Sequence, residues 1–150
     1  MTERIGFSFR RVTASTLLAL SPLLSLGAPP GAGDGAADVS VTDLMQRDLA
    51  SSPTQEALML MVTYRPGGAS LPHRHDAQVF VYVLEGEMTM QVDGHAAVTL
   101  RPGQTFYEGP GDIHRVSANA SKTAPAKILV FMIKDKGKPV SRAVTEERSP

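Results

Sequence analysis

The feature that most constrains this chain is a series of short apolar segments across residues 57–134, each bounded by a turn sequence. The segments lie at residues 58–64, 79–84, 88–92, 95–100, 105–108, 114–117 and 126–134. Asp93-Gly94 separates two alternating segments and is typical of a two-residue β-hairpin loop. Because none of the segments shows a strong helical period, the pattern predicts an all-β sandwich or barrel.

Two details of composition refine this prediction. Residues 79–84 are apolar throughout, which favours a strand buried on both faces. The chain has 3 Tyr, 5 Phe and no Trp, so we expect the interior to be filled mainly by Val, Leu, Ile and Met. Residues 39–49 mix apolar and charged side chains and could form a short strand or a single helical turn. We therefore predict an N-terminal arm at 38–54, a barrel at 55–134 and a loose C-terminal tail at 135–150.

The first 37 residues have the pattern of a secretory signal peptide and a linker of small residues. Arg4, Arg10 and Arg11 precede an uncharged segment, residues 12–26, and small residues follow. That segment is shorter than the roughly 20 residues that a membrane-spanning helix needs, although a retained signal anchor is the alternative. Cleavage could follow Ala28 or Ala37, and Pro29 disfavours the first. The pattern predicts a secreted or periplasmic protein without a stable membrane span after cleavage.

Charge and cysteine content exclude several classes of function. Lys plus Arg and Asp plus Glu both number 15, so the formal net charge is zero. A nucleic-acid-binding protein needs surplus positive charge to neutralise phosphates, so we expect no nucleic-acid partner. The chain has no cysteine, which excludes disulfides, thiolate metal sites and a cysteine nucleophile.

Three of the four histidines lie where they could share one site. His73 and His75 are two residues apart, so on a strand their rings lie on one face, with α-carbons about 6–7 Å apart. His114 follows the tight loop at residues 109–112. His95 follows the Asp93-Gly94 turn and is interpreted as an exposed hairpin residue.

The residues around these histidines resemble the two motifs of the cupin superfamily. The first motif has a glycine, His-x-His, a glutamate and a second glycine. The second has a glycine, Pro-x-Gly, a histidine and an asparagine. The residues in register are Gly67, His73, His75 and Gly86 for the first motif and Gly103, Gly111 and His114 for the second. Three positions depart from the pattern. Val79, or Phe80 with the longer spacing, replaces the glutamate, Gly109 replaces the proline, and Asn119 lies one residue late.

The resemblance to small single-domain, dioxygenase-like cupins implies a double-stranded β-helix, also called a jelly-roll barrel, with a metal site inside. It implies His73, His75 and His114 as ligands. Three neutral imidazoles without the motif glutamate suit iron, zinc, copper or nickel. Gln78 is a candidate fourth ligand, and Glu108 is a candidate ligand or general base. The alternative is a cupin that has lost its metal and keeps its imidazoles as hydrogen-bonding groups.

Together with the signal-peptide pattern, the resemblance predicts an exported, metal-dependent enzyme of the dioxygenase-like class that acts on a small molecule. The alternative is a non-catalytic module that binds a small ligand in the barrel mouth. The replacement of the motif glutamate by Val79 favours this alternative. An open barrel leaves edge strands that need cover, so a homodimer is also expected.

Overall fold

The computed structural model describes residues 38–144, which form two antiparallel sheets facing each other. The strands are β1 Val39–Leu49, β2 Ser52–Tyr64, β3 Ala69–Ser70, β4 His73–Arg74, β5 Ala77–Glu85, β6 Met88–Val92, β7 Val98–Leu100, β8 Thr105–Glu108, β9 Ile113–Asn119, β10 Ala126–Asp135 and β11 Arg142–Ala143. One sheet has the order β1-β2-β10-β5-β8. The other has the order β11-β4-β9-β6-β7, with β3 also paired to β9. The predicted all-β, double-stranded β-helix is therefore confirmed.

The predicted signal peptide and the end of the predicted C-terminal tail cannot be compared with the structure. The signal peptide and linker, residues 1–37, lie outside the described residues, as do residues 145–150. Within residues 38–144, no helix has the length and hydropathy needed to cross a bilayer.

The inward faces of the two sheets form one apolar core. Alternate residues of β2, β5 and β10 are buried, as the two-residue period of a strand requires. The largest fully buried side chains are Met88, Met90, Met132, Val79 and Val83. The expectation that aliphatic residues and methionine fill the barrel is confirmed, and Tyr64 is the one aromatic residue in the core of the described chain.

Strand β5 is buried on one face only, so the expectation of a strand buried on both faces is wrong. Phe80, Tyr82 and Leu84 are 46%, 44% and 40% exposed on the outer face. The ring centroid of Phe80 lies 5.4 Å from that of Tyr107 and 6.2 Å from that of Phe131. The apolar residues 79–84 therefore lie alternately in the core and on an outer face that contains aromatic rings.

The segment expected to be an N-terminal arm belongs to the sheet. Strand β1 pairs with β2 from Val39 opposite Tyr64 to Leu49 opposite Ser52. The expected boundary at residue 54 consequently lies inside β2. Of the two structures considered for residues 39–49, the strand is the one observed, and it has 11 residues.

The segment expected to be a loose tail is also paired, up to residue 144. Arg142 and Ala143 lie opposite Arg74 and His73 in the ladder between β11 and β4. The Val144 amide donates to the Pro72 carbonyl over 3.1 Å. These contacts bring the end of the described chain to the strand that carries the first motif histidine.

The turn between β5 and β6 requires a glycine. Gly86 has a φ of +74°, a conformation that side chains other than glycine rarely adopt. A Cβ built there would lie 2.5 Å from the Pro125 carbonyl oxygen. This motif glycine is therefore explained by backbone geometry and close packing.

Candidate metal centre

The three motif histidines come from two neighbouring segments of one sheet. His73 on β4 lies directly opposite His114 on β9. His75 follows β4, and its ring centroid lies 4.9 Å from that of His73. The centroids of His73 and His114 are 5.1 Å apart. The structure thus brings together the three histidines that the sequence suggested as ligands.

Glu108 joins them from the facing sheet. It is the last residue of β8, where alternate side chains face inward, and it is 2% exposed. Its Oε2 atom lies 3.0 Å from His114 Nδ1 and 3.6 Å from His75 Nε2. One potential ligand atom from each of His73, His75, His114 and Glu108 can be chosen so that all four lie within 4.8 Å of one another.

The position of Glu108 explains the missing motif glutamate. Val79 lies directly opposite Glu108 in the ladder between β5 and β8. Val79 is 1% exposed and lines the same cavity as the histidines. A carboxylate on Glu108 therefore reaches the space that a glutamate at position 79 would face, from the adjacent strand.

Gln78 is not part of this cluster, so its candidacy as fourth ligand is corrected. It alternates with the inward residues Ala77 and Val79 and is exposed on the outer face of β5. Its side-chain oxygen accepts a hydrogen bond from the Tyr107 hydroxyl. Strand parity is regular here, and no bulge turns the amide inward.

Backbone carbonyls orient two of the histidine rings. His73 Nδ1 lies 2.7 Å from the Leu71 carbonyl oxygen, and His75 Nδ1 lies 2.6 Å from the Val140 carbonyl oxygen. A carbonyl can only accept, so each Nδ1 donates, and in the neutral ring Nε2 then keeps its lone pair. This arrangement, in which the second ring nitrogen donates to the protein, is usual for metal-binding histidines. The Val140 contact could not be inferred from sequence, because 65 residues separate the partners.

The loop before His114 is fixed by its own hydrogen bonds. The Asp112 side chain accepts from the Gly109 amide over 2.8 Å, and the Gly111 amide donates to the His75 carbonyl over 2.9 Å. The ring of Phe106 stacks on that of His114, with centroids 5.8 Å apart. The second-motif loop thus connects the His75 backbone to the strand that carries His114.

A β-bulge sets which residues of β9 face inward. Gln91 lies opposite Val116 and Val92 lies opposite His114, so Arg115 is the additional residue. His114, Ser117 and Asn119 are consequently all buried, although regular alternation would separate His114 from the other two. The bulge accommodates the one residue by which Asn119 lies beyond its motif position. Asn119 supports the loop structure by donating to the Arg65 and Ala124 carbonyls.

The electrostatics of the cluster fit a bound cation. Neither Glu108 Oε2 nor His114 Nε2 has a hydrogen-bond partner, and both atoms are buried. Burial lowers the pKa of His73, and the neighbouring imidazoles lower it further, while its hydrogen bond to Leu71 opposes the shift. No Lys or Arg occurs among the described residues that line the cavity. A buried carboxylate among imidazoles therefore has unfilled coordinating capacity, and no Lys or Arg of the described lining compensates its charge.

The cluster lies in a cavity of about 480 Å³ between the two sheets. The cavity wall is mostly aliphatic, and its polar groups beyond the cluster include Tyr64, Ser70 and Ser117. Leu71, Pro72, Val140 and Ala143 also line it, so the chain around β4 and β11 borders the site. The volume is within the range of small-molecule sites.

The three histidines and Glu108 provide a set of donor atoms that could bind a transition-metal ion. Three imidazole nitrogens and one carboxylate oxygen match iron and manganese as well as zinc. A divalent ion bound there would supply Lewis acidity, and with one carboxylate the centre would carry a net charge of about +1. The chain's own contribution is to orient the imidazoles, to exclude water with the aliphatic wall and to offer Glu108 as a ligand or a proton acceptor.

Comparison with known families identifies the class of protein. Residues 60–132 match the family model described as the cupin domain. The match includes all four residues of the cluster and strands β5 to β9. With its two facing antiparallel sheets and both histidine motifs in order, the chain belongs to the cupin superfamily.

Solved structures agree with this assignment. An oxalate oxidase in complex with the substrate analogue glycolate superposes with a TM-score of 0.57 and 26% identity, over 74% of this chain and 57% of that one. An RmlC-like cupin from Shewanella frigidimarina gives a TM-score of 0.52 and 18% identity, over 69% and 83% of the two chains. A DMSP lyase from Ruegeria pomeroyi gives 0.52 and 21%, over 65% and 47%. This chain thus spans little more than half of the oxalate oxidase. The curated protein sequences give no match.

Proposed function

We propose that this chain is an exported, metal-dependent cupin enzyme of the dioxygenase-like class that acts on a small organic molecule in the barrel cavity. One observation carries the proposal: a buried carboxylate, Glu108, faces three imidazoles in a cavity whose described lining contains no Lys or Arg. A divalent cation would compensate that carboxylate and use the unpartnered atoms of Glu108 and His114.

The donor set supports iron or manganese as the resident ion. Imidazole ligands alone suit zinc, copper, iron and nickel, and a carboxylate oxygen shifts the preference toward manganese and iron. A six-coordinate ion with four protein ligands would keep two positions for a substrate and a co-reactant. This arrangement favours an enzyme over a passive binding module, because Glu108 restores the carboxylate whose absence at position 79 had favoured the module.

The similarity to oxalate oxidase supports the enzyme class only. That protein acts on oxalate, and its structure holds glycolate, a small oxygenated acid. Because this chain covers only 57% of that protein at 26% identity, we do not propose oxalate as the substrate of this chain.

Export and dimer formation are further parts of the proposal. The signal-peptide pattern ends at Ala37, and the first described strand begins at Val39, so cleavage there would leave every strand of residues 38–144 intact. The exposed rings of Phe80, Tyr82 and Tyr107 offer an apolar face that a second copy could cover.

Metal analysis of protein purified without a histidine tag tests the central part of the proposal. We expect about one iron or manganese ion per chain in the parent and in a His95→Ala control, whose histidine is exposed and is neither in the cluster nor in the cavity lining. The His73→Ala/His75→Ala double variant should contain none while keeping a folded β-sheet spectrum. A metal-free parent after growth and refolding with either ion, or equal metal in the double variant, would refute it.

Oxygen uptake then separates the enzyme from the binding module. The metal-loaded parent is given glycolate, catechol and other small hydroxy acids and phenols in an oxygen electrode. Uptake that depends on both His73 and Glu108 supports the enzyme. Tight binding of these compounds without turnover of any of them would favour the module.

A further inference from the structure

We infer that the cavity selects an uncharged or singly charged molecule with an apolar body, bound to the metal centre at one end and to Ser70 and Ser117 at the other. This inference rests on the proposed function, because it takes a cation at the histidine cluster as given. It differs from what the similarity to oxalate oxidase would suggest, since oxalate is a small dianion without an apolar body.

Charge in the cavity argues against a dianion. The described lining contains one buried acidic residue, Glu108, one exposed one, Asp38, and no Lys or Arg. With a divalent cation, the formal charge of the ion and the Glu108 carboxylate sums to +1. A singly charged anion would balance this charge, whereas a dianion would leave an uncompensated negative charge in a largely apolar enclosure, which is unfavourable.

The cavity wall argues for an apolar body. Leu60, Val62, Val81, Ile128 and Val130 line it, and each of these side chains is at least 92% buried. At about 480 Å³ the cavity is much larger than a six-atom dianion requires. An aliphatic or aromatic group would displace water from this wall and gain from the removal of apolar surface from solvent.

Three hydroxyl groups form a second polar position in this wall. The Tyr64 hydroxyl lies 2.7 Å from Ser117 Oγ and 3.3 Å from Ser70 Oγ. Ser117 and Tyr64 are each 3% exposed. Each hydroxyl has one donor and two acceptor positions, so three hydroxyls bonded to one another can still bind a polar group of a ligand.

Strand pairing sets the separation of the two polar positions. Ser70 lies opposite Ser117 on β9, just as His73 lies opposite His114. Ser117 lies three residues beyond His114 on β9, so their α-carbons are at most about 10 Å apart. The hydroxyls and the metal cluster are thus two fixed points on one ladder, separated by roughly the length of a benzene ring and its substituents.

A series of hydroxamic acids tests this arrangement, because each member binds metals through the same group. The probes are acetohydroxamic acid, benzohydroxamic acid and 4-hydroxybenzohydroxamic acid, with oxalate as the dianion. They are titrated calorimetrically into the metal-loaded parent, whose metal content is measured again afterwards. We expect benzohydroxamic acid to bind at least about 10-fold more tightly than acetohydroxamic acid, from burial of its ring. The 4-hydroxy group should add about 10-fold through the serines, and oxalate should bind most weakly.

Serine variants locate the second position. Ser117→Ala should remove the gain from the 4-hydroxy group and leave the affinity for benzohydroxamic acid within about twofold. Ser70→Ala should have the same direction of effect and serves as the second variant if Ser117→Ala does not fold. Ser40→Ala on the exposed strand β1 is the matched control and should change neither affinity.

The outcomes separate this inference from the proposed function. Metal-loaded protein that binds oxalate more tightly than benzohydroxamic acid, or binds no hydroxamate, would overturn the inference and leave the metal-dependent function standing. An unchanged gain from the 4-hydroxy group in both serine variants would overturn the assignment of the hydroxyl position. A parent that retains no metal would overturn both the proposed function and the inference.

Discussion

Residues 38–144 bury two glutamates, and their surroundings are opposite in kind. Glu56 is 4% exposed and accepts hydrogen bonds from the Lys134 ammonium and the Gln46 amide. Lys134 also donates to the Asp135 and Lys138 carbonyls. These hydrogen bonds, with that of Lys134 the strongest, hold the pKa of Glu56 below its usual value. The charges of Glu56 and Lys134 thus compensate each other, and both side chains have hydrogen-bond partners within the chain.

Glu108 is buried as deeply and lacks such a partner. Its neighbours are the imidazoles of His75 and His114, and one of its oxygens accepts no hydrogen bond. Burial of a carboxylate therefore does not by itself indicate function. A carboxylate paired with an ammonium stabilises the barrel, whereas one surrounded by imidazoles is suited to bind a cation.

The largest expected effect on stability comes from removing the ammonium group that pairs with Glu56. Lys134→Met leaves the Glu56 carboxylate buried without its ammonium, so the variant should unfold at a much lower temperature than the parent. Adding Glu56→Gln should restore much of the loss, since no charge then remains. Metal affinity should be unchanged in both. Calorimetric melting curves and metal titrations check this, and a Lys134→Met protein as stable as the parent would contradict it.

Moving the carboxylate between paired positions tests the metal cluster. Glu108→Val should lower the affinity for manganese or iron by about 10- to 100-fold or more, since losing a ligand should cost at least as much as losing a group that supports one. Val79→Glu added to that variant should recover most of the affinity, because the two positions lie opposite each other and face the same cavity. Competition with a chelator measures both values. If the double variant binds no better than Glu108→Val, position 79 does not reach the ion.

A smaller effect is expected from the C-terminal segment. Ending the chain after Pro139 removes the Val140 carbonyl that orients His75 and the pairing of β11 with β4. Loss of such a supporting contact should lower metal affinity by about 10-fold. The shorter protein should remain folded, because the core strands are untouched. Equal affinity of the two proteins would show that the Val140 contact does not orient His75 for metal binding.

The smallest expected effect concerns acid. The pKa of Glu56 is lower in the folded protein than in the unfolded chain, so its contribution to stability is present above the unfolded pKa of about 4.5 and is lost as the pH falls through the lowered value. Glu56→Gln should therefore weaken the decline in stability below pH 4.5. Denaturant melts between pH 3 and pH 7 measure this. A decline as steep as in the parent would assign acid sensitivity to other groups.

Much of the barrel could be predicted because its signals are local. Alternating apolar residues and turns such as Asp93-Gly94 require no knowledge of distant partners. The roles of the outer face of β5 and of β1 could not be predicted in this way. An apolar residue such as Phe80 gives no indication of which face is covered, and the pairing of Val39 with Tyr64 joins residues 25 positions apart.

In the site, too, the features set by local sequence could be predicted and those set by strand pairing could not. The spacing of His73 and His75 is local, and the structure places their rings 4.9 Å apart. Glu108 was a candidate because it precedes the loop that carries His114, and its inward direction depends on the register that sets it opposite Val79. Gln78 was a candidate because it adjoins Val79 in sequence, and strand parity directs it to the opposite face. Register between strands is the information that one sequence does not contain.

Replacing each buried glutamate by glutamine in metal-free protein tests the central claim most directly. The melting temperatures of Glu108→Gln and Glu56→Gln are compared with the parent at pH 8 in the presence of a chelator, where imidazole is normally neutral. We predict that Glu108→Gln melts higher than the metal-free parent, because it removes an uncompensated buried charge, and that Glu56→Gln melts lower, because it removes a compensated one. Added manganese or iron should stabilise the parent strongly and Glu108→Gln only weakly. If both variants instead melt lower than the metal-free parent and respond to metal as the parent does, Glu108 is an ordinary structural carboxylate and the account of the metal centre is wrong.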